Sequence, residues 1–176
     1  YPDGEDITEK IYSLPRNKPI IAAINSWCIG TGLIYVSMLT DIRVAGQGAR
    51  FGLPEIAYAM AGASGTARLS LQIPHVWANW IALTGEKITA NQALQFQLIN
   101  EVVPDDEVFK RAIEIANLIG AHPLIGIQTE MECLQKCPEM SLEEATNLTR
   151  KLYDHQLKVY HNDPDAKSGI DHIKNN

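Results

Sequence analysis

Two stretches of the chain hold residue types and spacings that could act on a substrate. Gly30-Thr31-Gly32 lies between an apolar run, Ile20 to Ile24, and a run of apolar and small residues from Leu33 to Leu39. Glycines there let the backbone pass close to another group, and a helix starting behind them would present first-turn N–H groups without intrahelical partners. Such amides favour negative charge, either a bound phosphate or an oxyanion formed during a reaction. A tight turn inside a core is the third reading. Gly-x-Gly alone does not choose among them, since neither a third glycine in dinucleotide spacing nor a Lys-Ser/Thr pair follows. The second stretch is Pro54-Glu55-Ile56, where a carboxylate between apolar neighbours suits proton transfer.

Other reactive residue types add little. Cys28 lies in the apolar turn region as a small core residue would, and the spacing of Cys133 and Cys137, which share a helical face, is not that of a zinc knuckle. His75, His122, His155, His161 and His172 are scattered and read mostly as surface residues. With 176 residues, 45% hydrophobic and 20% charged, the chain can bury one ordinary core. A net charge of −6 without long acidic blocks gives no reason to expect nucleic acid or an anionic membrane as a partner. No apolar run reaches membrane-spanning length and no signal peptide opens the chain, so the expected location is cytoplasmic, with an organelle matrix as the other compartment. The abrupt start at Tyr1, without Met, suggests a piece of a longer protein.

The elements that must position Thr31 and Glu55 can be read from the pattern. Ile20 to Ile24, bounded by Pro19 and Asn25, predicts a strand covered on both faces. Leu33 to Leu39 predicts a buried helix, and Ile42-Arg43-Val44-Ala45 a second strand, giving a parallel strand–helix–strand crossover. Gly46-Gln47-Gly48 turns the chain toward Arg50-Phe51-Gly52-Leu53. An apolar helix around Leu69 and Leu71 stops at Pro74, and Trp77 to Leu83 resumes helical spacing. Thr89-x-x-Gln92 has the form of a capping box, and Leu98 to Val103 reads as a short strand ended by Pro104. From Asp105 the pattern is helical: Val108, Ala112, Ile115, Ala116 and Ile119 mark one apolar face, and Gly120 ends the helix. Pro123 to Cys137 forms another, and Ser141-x-x-Glu144 caps a third running to about Tyr160.

Three separated features, in this order, resemble the crotonase family of enoyl-CoA hydratases and isomerases. They are Lys18-Pro19-Ile20-Ile21-Ala22-Ala23-Ile24-Asn25 with its glycine turn, Phe51-Gly52-Leu53-Pro54-Glu55, and Gly62-Ala63-Ser64-Gly65-Thr66-Ala67-Arg68-Leu69. Leu83-Thr84-Gly85-Glu86-Lys87-Ile88-Thr89-Ala90 and Leu98-Ile99-Asn100-Glu101-Val102-Val103-Pro104 are similar to later family segments. The resemblance implies an α/β fold, a crotonase-like ββα spiral core over 1–104 with its N-terminal repeats missing, and a helical C-terminal region over 105–176 that serves oligomerisation. It implies an acyl-CoA substrate and a homotrimer or homohexamer. It implies no metal or redox cofactor, coenzyme A entering as part of the substrate.

For the site, the resemblance implies an oxyanion hole from two backbone amides, those of Thr31 and of Glu5 in Gly4-Glu5-Asp6-Ile7, with Glu55 as the acid/base. A thioester carbonyl held by two amides binds them more strongly once it is an enolate oxyanion, which makes the α-proton removable. Hydratases of the family carry a second glutamate after the glycine turn. Here that position falls on Ile34, with Tyr35 beside it, and neither can serve as a carboxylate base. One proton carrier suits double-bond migration better than two-glutamate hydration. Tyr35, Tyr58 and Ser64 are unassigned polar residues near these motifs. The other reading implied is a non-catalytic crotonase-like domain that binds CoA esters or protein partners.

Overall fold

The computed structural model describes residues 11, 14–60, 66 and 69–162. Strand β1 (Ile21–Ile24) is followed, after Asn25-Ser26, by β2 (Trp27–Ile29), which runs into Gly30 and helix α1 (Thr31–Leu39). Then come β3 (Ile42–Gly46) and β4 (Arg50–Gly52). β3 lies parallel to β1, with Ile21 opposite Ile42, and β4 lies parallel to β2, with Cys28 opposite Phe51. Each ββ pair thus divides its two strands between two sheets, and α1 carries the chain from one pair to the next. The expected parallel crossover is present, but it joins pairs of strands.

The short strand β2 carries no periodicity of its own and is defined by its partner β4. That is why the sequence suggested a single strand before the glycines. The expectation that this first strand is covered on both faces is also corrected. β1 is an edge strand in the order β1-β3-β6, and Ala23 is exposed. The central strand β3 is the covered one, buried from Arg43 to Gly46.

After the first four strands come α2 (Leu69–Gln72), α3 (His75–Thr84), β5 (Ile88–Thr89), α4 (Ala90–Gln95), β6 (Glu101–Val103) and α5 (Val108–Gly120). β5 adds antiparallel to β4 and β6 adds parallel to β3. Leu98 to Asn100, expected in a strand, is a turn that precedes β6. Leu33, Val44, Phe51, Ile81, Ile88, Leu98 and Val108 are fully buried, each worth roughly 1.5–3 kcal/mol of apolar burial. Asp105 fastens the β3–β4 turn, accepting the Gly48 N–H at 2.8 Å. On α5, Val108, Ala112 and Ile115 are buried and Ile119 is half-buried, whereas Ala116 is exposed.

The chain forms two compact units divided between Ile115 and Ala116, with Arg16–Lys18 assigned to the second. The second unit contains α6 (Leu124–Lys136), a 3-10 turn at Cys137–Glu139 and α7 (Leu142–Asn162). α6 packs on α7 around Gly126, where an added Cβ would stand 4.0 Å from Gln156 Nε2. Both halves of the Ser141–Glu144 capping box are made, Ser141 N–H to Glu144 Oε2 at 2.9 Å and Glu144 N–H to Ser141 Oγ at 3.3 Å. Among the described residues no helix is long and apolar enough to cross a membrane.

Candidate active site

Glu55 is fixed by its neighbours in sequence and by α3. Phe51 and Leu53 are buried anchors, and Pro54, whose φ suits a first helical position, opens a 3-10 turn over Pro54–Tyr58. The turn closes at Ala59, φ 58°, whose N–H reaches Ile56 O at 3.2 Å, while Met60 N–H donates to Glu55 O at 3.1 Å. Gly85, the C-cap of α3 with φ 65°, covers Ile56: a Cβ there would stand 2.9 Å from Ile56 Cγ2.

The Glu55 carboxylate packs on Gly30. An added Cβ at Gly30 would stand 2.5 Å from Oε1 and 3.4 Å from Cδ. Oε2 is fully buried and has no hydrogen-bond partner among the described residues. An unsatisfied buried acceptor is costly, and a polar group left so marks where another group can bind.

Gly30 has φ 57° and ψ −132°, a backbone conformation that side chains other than glycine resist. Its N–H donates to Gly52 O at 2.9 Å, which ties the turn to β4 just before Glu55. Ile34 N–H donates to Gly30 O at 3.1 Å and begins the α1 ladder. No side chain caps α1 and no acid stands in its first turn. Its N-terminal amides, that of the exposed Thr31 included, are therefore open to an incoming acceptor. Thr31 and Glu55 thus flank one glycine, and the structure brings these two expected site residues together. Glu5, the other expected amide donor, lies outside the described residues, as do Ser64 and most of the Gly62 to Leu69 segment.

The sequence gave no role to Arg43, which the structure places at the other end of α1. It is 9% exposed in central β3 and donates to Thr40 Oγ1 (3.0 Å), Leu98 O (2.9 Å), Ser37 O (3.0 Å), Thr40 O (3.3 Å) and Gln72 Oε1 (2.8 Å). Gln72 Nε2 in turn donates to Ser37 O at 2.7 Å. Burial pulls the guanidinium pKa down, partly offset by nearby Cys28 and Asp41. The available signal was an arginine inside an apolar strand run.

The description "Enoyl-CoA hydratase/isomerase" belongs to a family model that matches residues 2–172. The chain belongs to the enoyl-CoA hydratase/isomerase family. It is 38% identical over 138 residues to 2,3-dehydroadipyl-CoA hydratase of Escherichia coli (strain K12), covering 78% of this chain and 54% of that protein. It is 36% identical over 153 residues to enoyl-CoA hydratase EchA19 of Mycobacterium tuberculosis, covering 86% and 56%. Among solved structures, enoyl-CoA hydratase from Bacillus anthracis superposes with a TM-score of 0.82 at 30% identity, over 95% of this chain and 62% of that one. The chain therefore has the crotonase fold and spans little more than half the length of these curated relatives. Within this enoyl-CoA hydratase/isomerase member, Ile34, at the position of the second family glutamate, is half-buried and packs against the core. Tyr35 is half-buried on α1, and Tyr58 is 75% exposed.

Proposed function

We propose that the chain processes acyl-CoA thioesters through an enolate, with Glu55 as the proton carrier and the Thr31 amide as an oxyanion donor. The observation that carries this reading is the buried, unpartnered Oε2 of Glu55 on the glycine that precedes the uncapped N-terminus of α1. The thioester oxygen accepts from the Thr31 N–H, with the Glu5 N–H as the second donor. A Glu55 carboxylate oxygen takes the α-proton, the C–H electron pair enters the new C–C π bond, and the carbonyl π electrons move onto oxygen. Returning the proton at another carbon shifts a double bond. Losing a β-substituent instead gives an enoyl product. One such donor is worth roughly 3 kcal/mol of transition-state stabilisation. Charge stabilisation by amides makes no call on a metal or redox group, and coenzyme A is part of the substrate. The names of the relatives support an acyl-CoA substrate, and Ile34 in place of a second carboxylate favours isomerisation over hydration.

The assembly proposed is a homotrimer or homohexamer, supported by Leu134 and Leu142 of the helical unit, 73% and 85% exposed. The compartment proposed is the cytoplasm, with an organelle matrix as the alternative because some relatives are named mitochondrial. Sedimentation reads the first and imaging of the tagged protein the second.

The deciding experiment follows α-proton exchange of butanoyl-CoA in deuterium oxide, which registers the enolate whichever product forms. Exchange by the wild-type chain that Glu55→Gln abolishes is the expected outcome. Calorimetry in parallel tests the second reading, a domain that binds CoA esters without turnover, favoured by the apolar Ile34. Binding without exchange supports that reading and overturns the first.

A further inference from the structure

We propose that Arg43 is a positioning residue for the oxyanion donor, holding α1 so that the Thr31 amide stands beside Glu55. This rests on the enolate reading above. Among the described residues, the hydrogen-bond partners of the buried guanidinium are all neutral oxygens. A buried cation is costly unless its donors are satisfied, so the arrangement around Arg43 is tightly specified.

What the charge holds is the last turn of α1. Ser37 O and Thr40 O lie where a helix end leaves carbonyls unpaired, and a cation there is aligned with the helix dipole. Two further bonds pin this cap, one to Leu98 O ahead of β6 and one to Gln72 of α2, and Gln72 grips Ser37 O as well. At the other end α1 has no side-chain cap, and the Gly30 N–H to Gly52 O bond is the printed tie between its leading glycine and β4. A helix of nine residues is about 13 Å of stiff rod. A shift or rotation at Ser37–Thr40 is therefore carried to Thr31, whereas Glu55 is fastened separately through Leu53, Pro54 and Gly85. Arg43 thus sets the position of one catalytic group relative to the other.

A lysine keeps the charge but presents three donors from one atom and cannot bridge Thr40, Leu98 and Gln72 together. The test uses the full chain with butanoyl-CoA labelled with 13C at the carbonyl carbon. It reads the displacement of that resonance on binding, the affinity, and the kcat and KM of α-proton exchange. Arg43→Lys is expected to bind within about threefold of wild type, to lose most of the carbonyl displacement, and to lose kcat on the order of ten- to a hundredfold with little change in KM. Should Arg43→Lys fail to fold by circular dichroism, Gln72→Ala on the exposed side of the cluster decides, with a smaller loss in the same direction.

The outcomes separate the two claims. Wild type that binds without displacing the carbonyl resonance overturns the enolate reading and this inference with it. Wild type that displaces it, with a folded variant that matches it in resonance and kcat, overturns the role of Arg43 alone. A loss confined to affinity or KM also overturns it.

Discussion

The carboxylate of Glu55 occupies the space a side chain on Gly30 would need, Oε1 lying 2.5 Å from an ideal Cβ there. Gly30 is thus required twice, for its positive φ and for room. Gly30→Ala is expected to destabilise the fold by roughly 1–3 kcal/mol from backbone strain. It should also push Glu55 off its place, lowering α-proton exchange by on the order of a hundredfold. Chemical denaturation and the exchange assay check both. An alanine variant with wild-type exchange would mean that Glu55 need not sit against the turn.

Glu55→Gln keeps the shape of the side chain and removes its capacity to take a proton. Exchange is expected to fall by roughly 10²- to 10⁴-fold. The melting temperature should hold or rise, because the carboxylate has a buried oxygen without a partner among the described residues. A fall in stability comparable to a core truncation would instead mark Glu55 as structural.

How much of this was legible in the sequence differs from residue to residue for physical reasons. The glycine turn and Pro54-Glu55 could be paired because glycine and proline restrict the backbone locally, and the capping boxes at Thr89 and Ser141 were legible because they close within four residues. β2 was not, since three residues have no period and its partner Phe51 lies 23 positions away. Arg43 escaped notice because its acceptors come from α1, α2 and the turn before β6, which only the fold assembles. The edge position of β1 was likewise a matter of strand order, which alternation along one strand does not encode.

Thr89 ends β5 and caps α4, so its side chain joins the second sheet to the helix that follows. Its Oγ1 accepts the Gln92 N–H at 3.2 Å, and Gln92 Oε1 accepts the Thr89 N–H at 2.9 Å. Thr89→Ala is expected to cost about 0.5–2 kcal/mol, the usual value of an N-cap. Thermal melts check the value. A serine at the same position should recover most of the loss, and a serine variant as unstable as alanine would show that the methyl group, not the cap, is what matters.

Cys28 makes the fold sensitive to alkali. Burial raises its thiol pKa from 9.0 to about 11, against the weaker opposite pull of Arg43. The folded state therefore holds this proton more tightly than the unfolded chain does. The resulting stability is complete below pH 9 and drains away as pH rises toward 11, because the unfolded thiol ionises first. Two pKa units correspond to roughly 2.7 kcal/mol, of which roughly 2 kcal/mol is lost by pH 10.5. Lysines and tyrosines titrate in the same range, so the quantity to measure is the difference between wild type and Cys28→Ala in urea unfolding at pH 8 and at pH 10.5. Cys28→Ala starts less stable because it leaves a small cavity, and the gap should narrow by about 2 kcal/mol between the two pH values. A gap that stays constant would mean that the thiol ionises as readily in the folded protein as in the unfolded one.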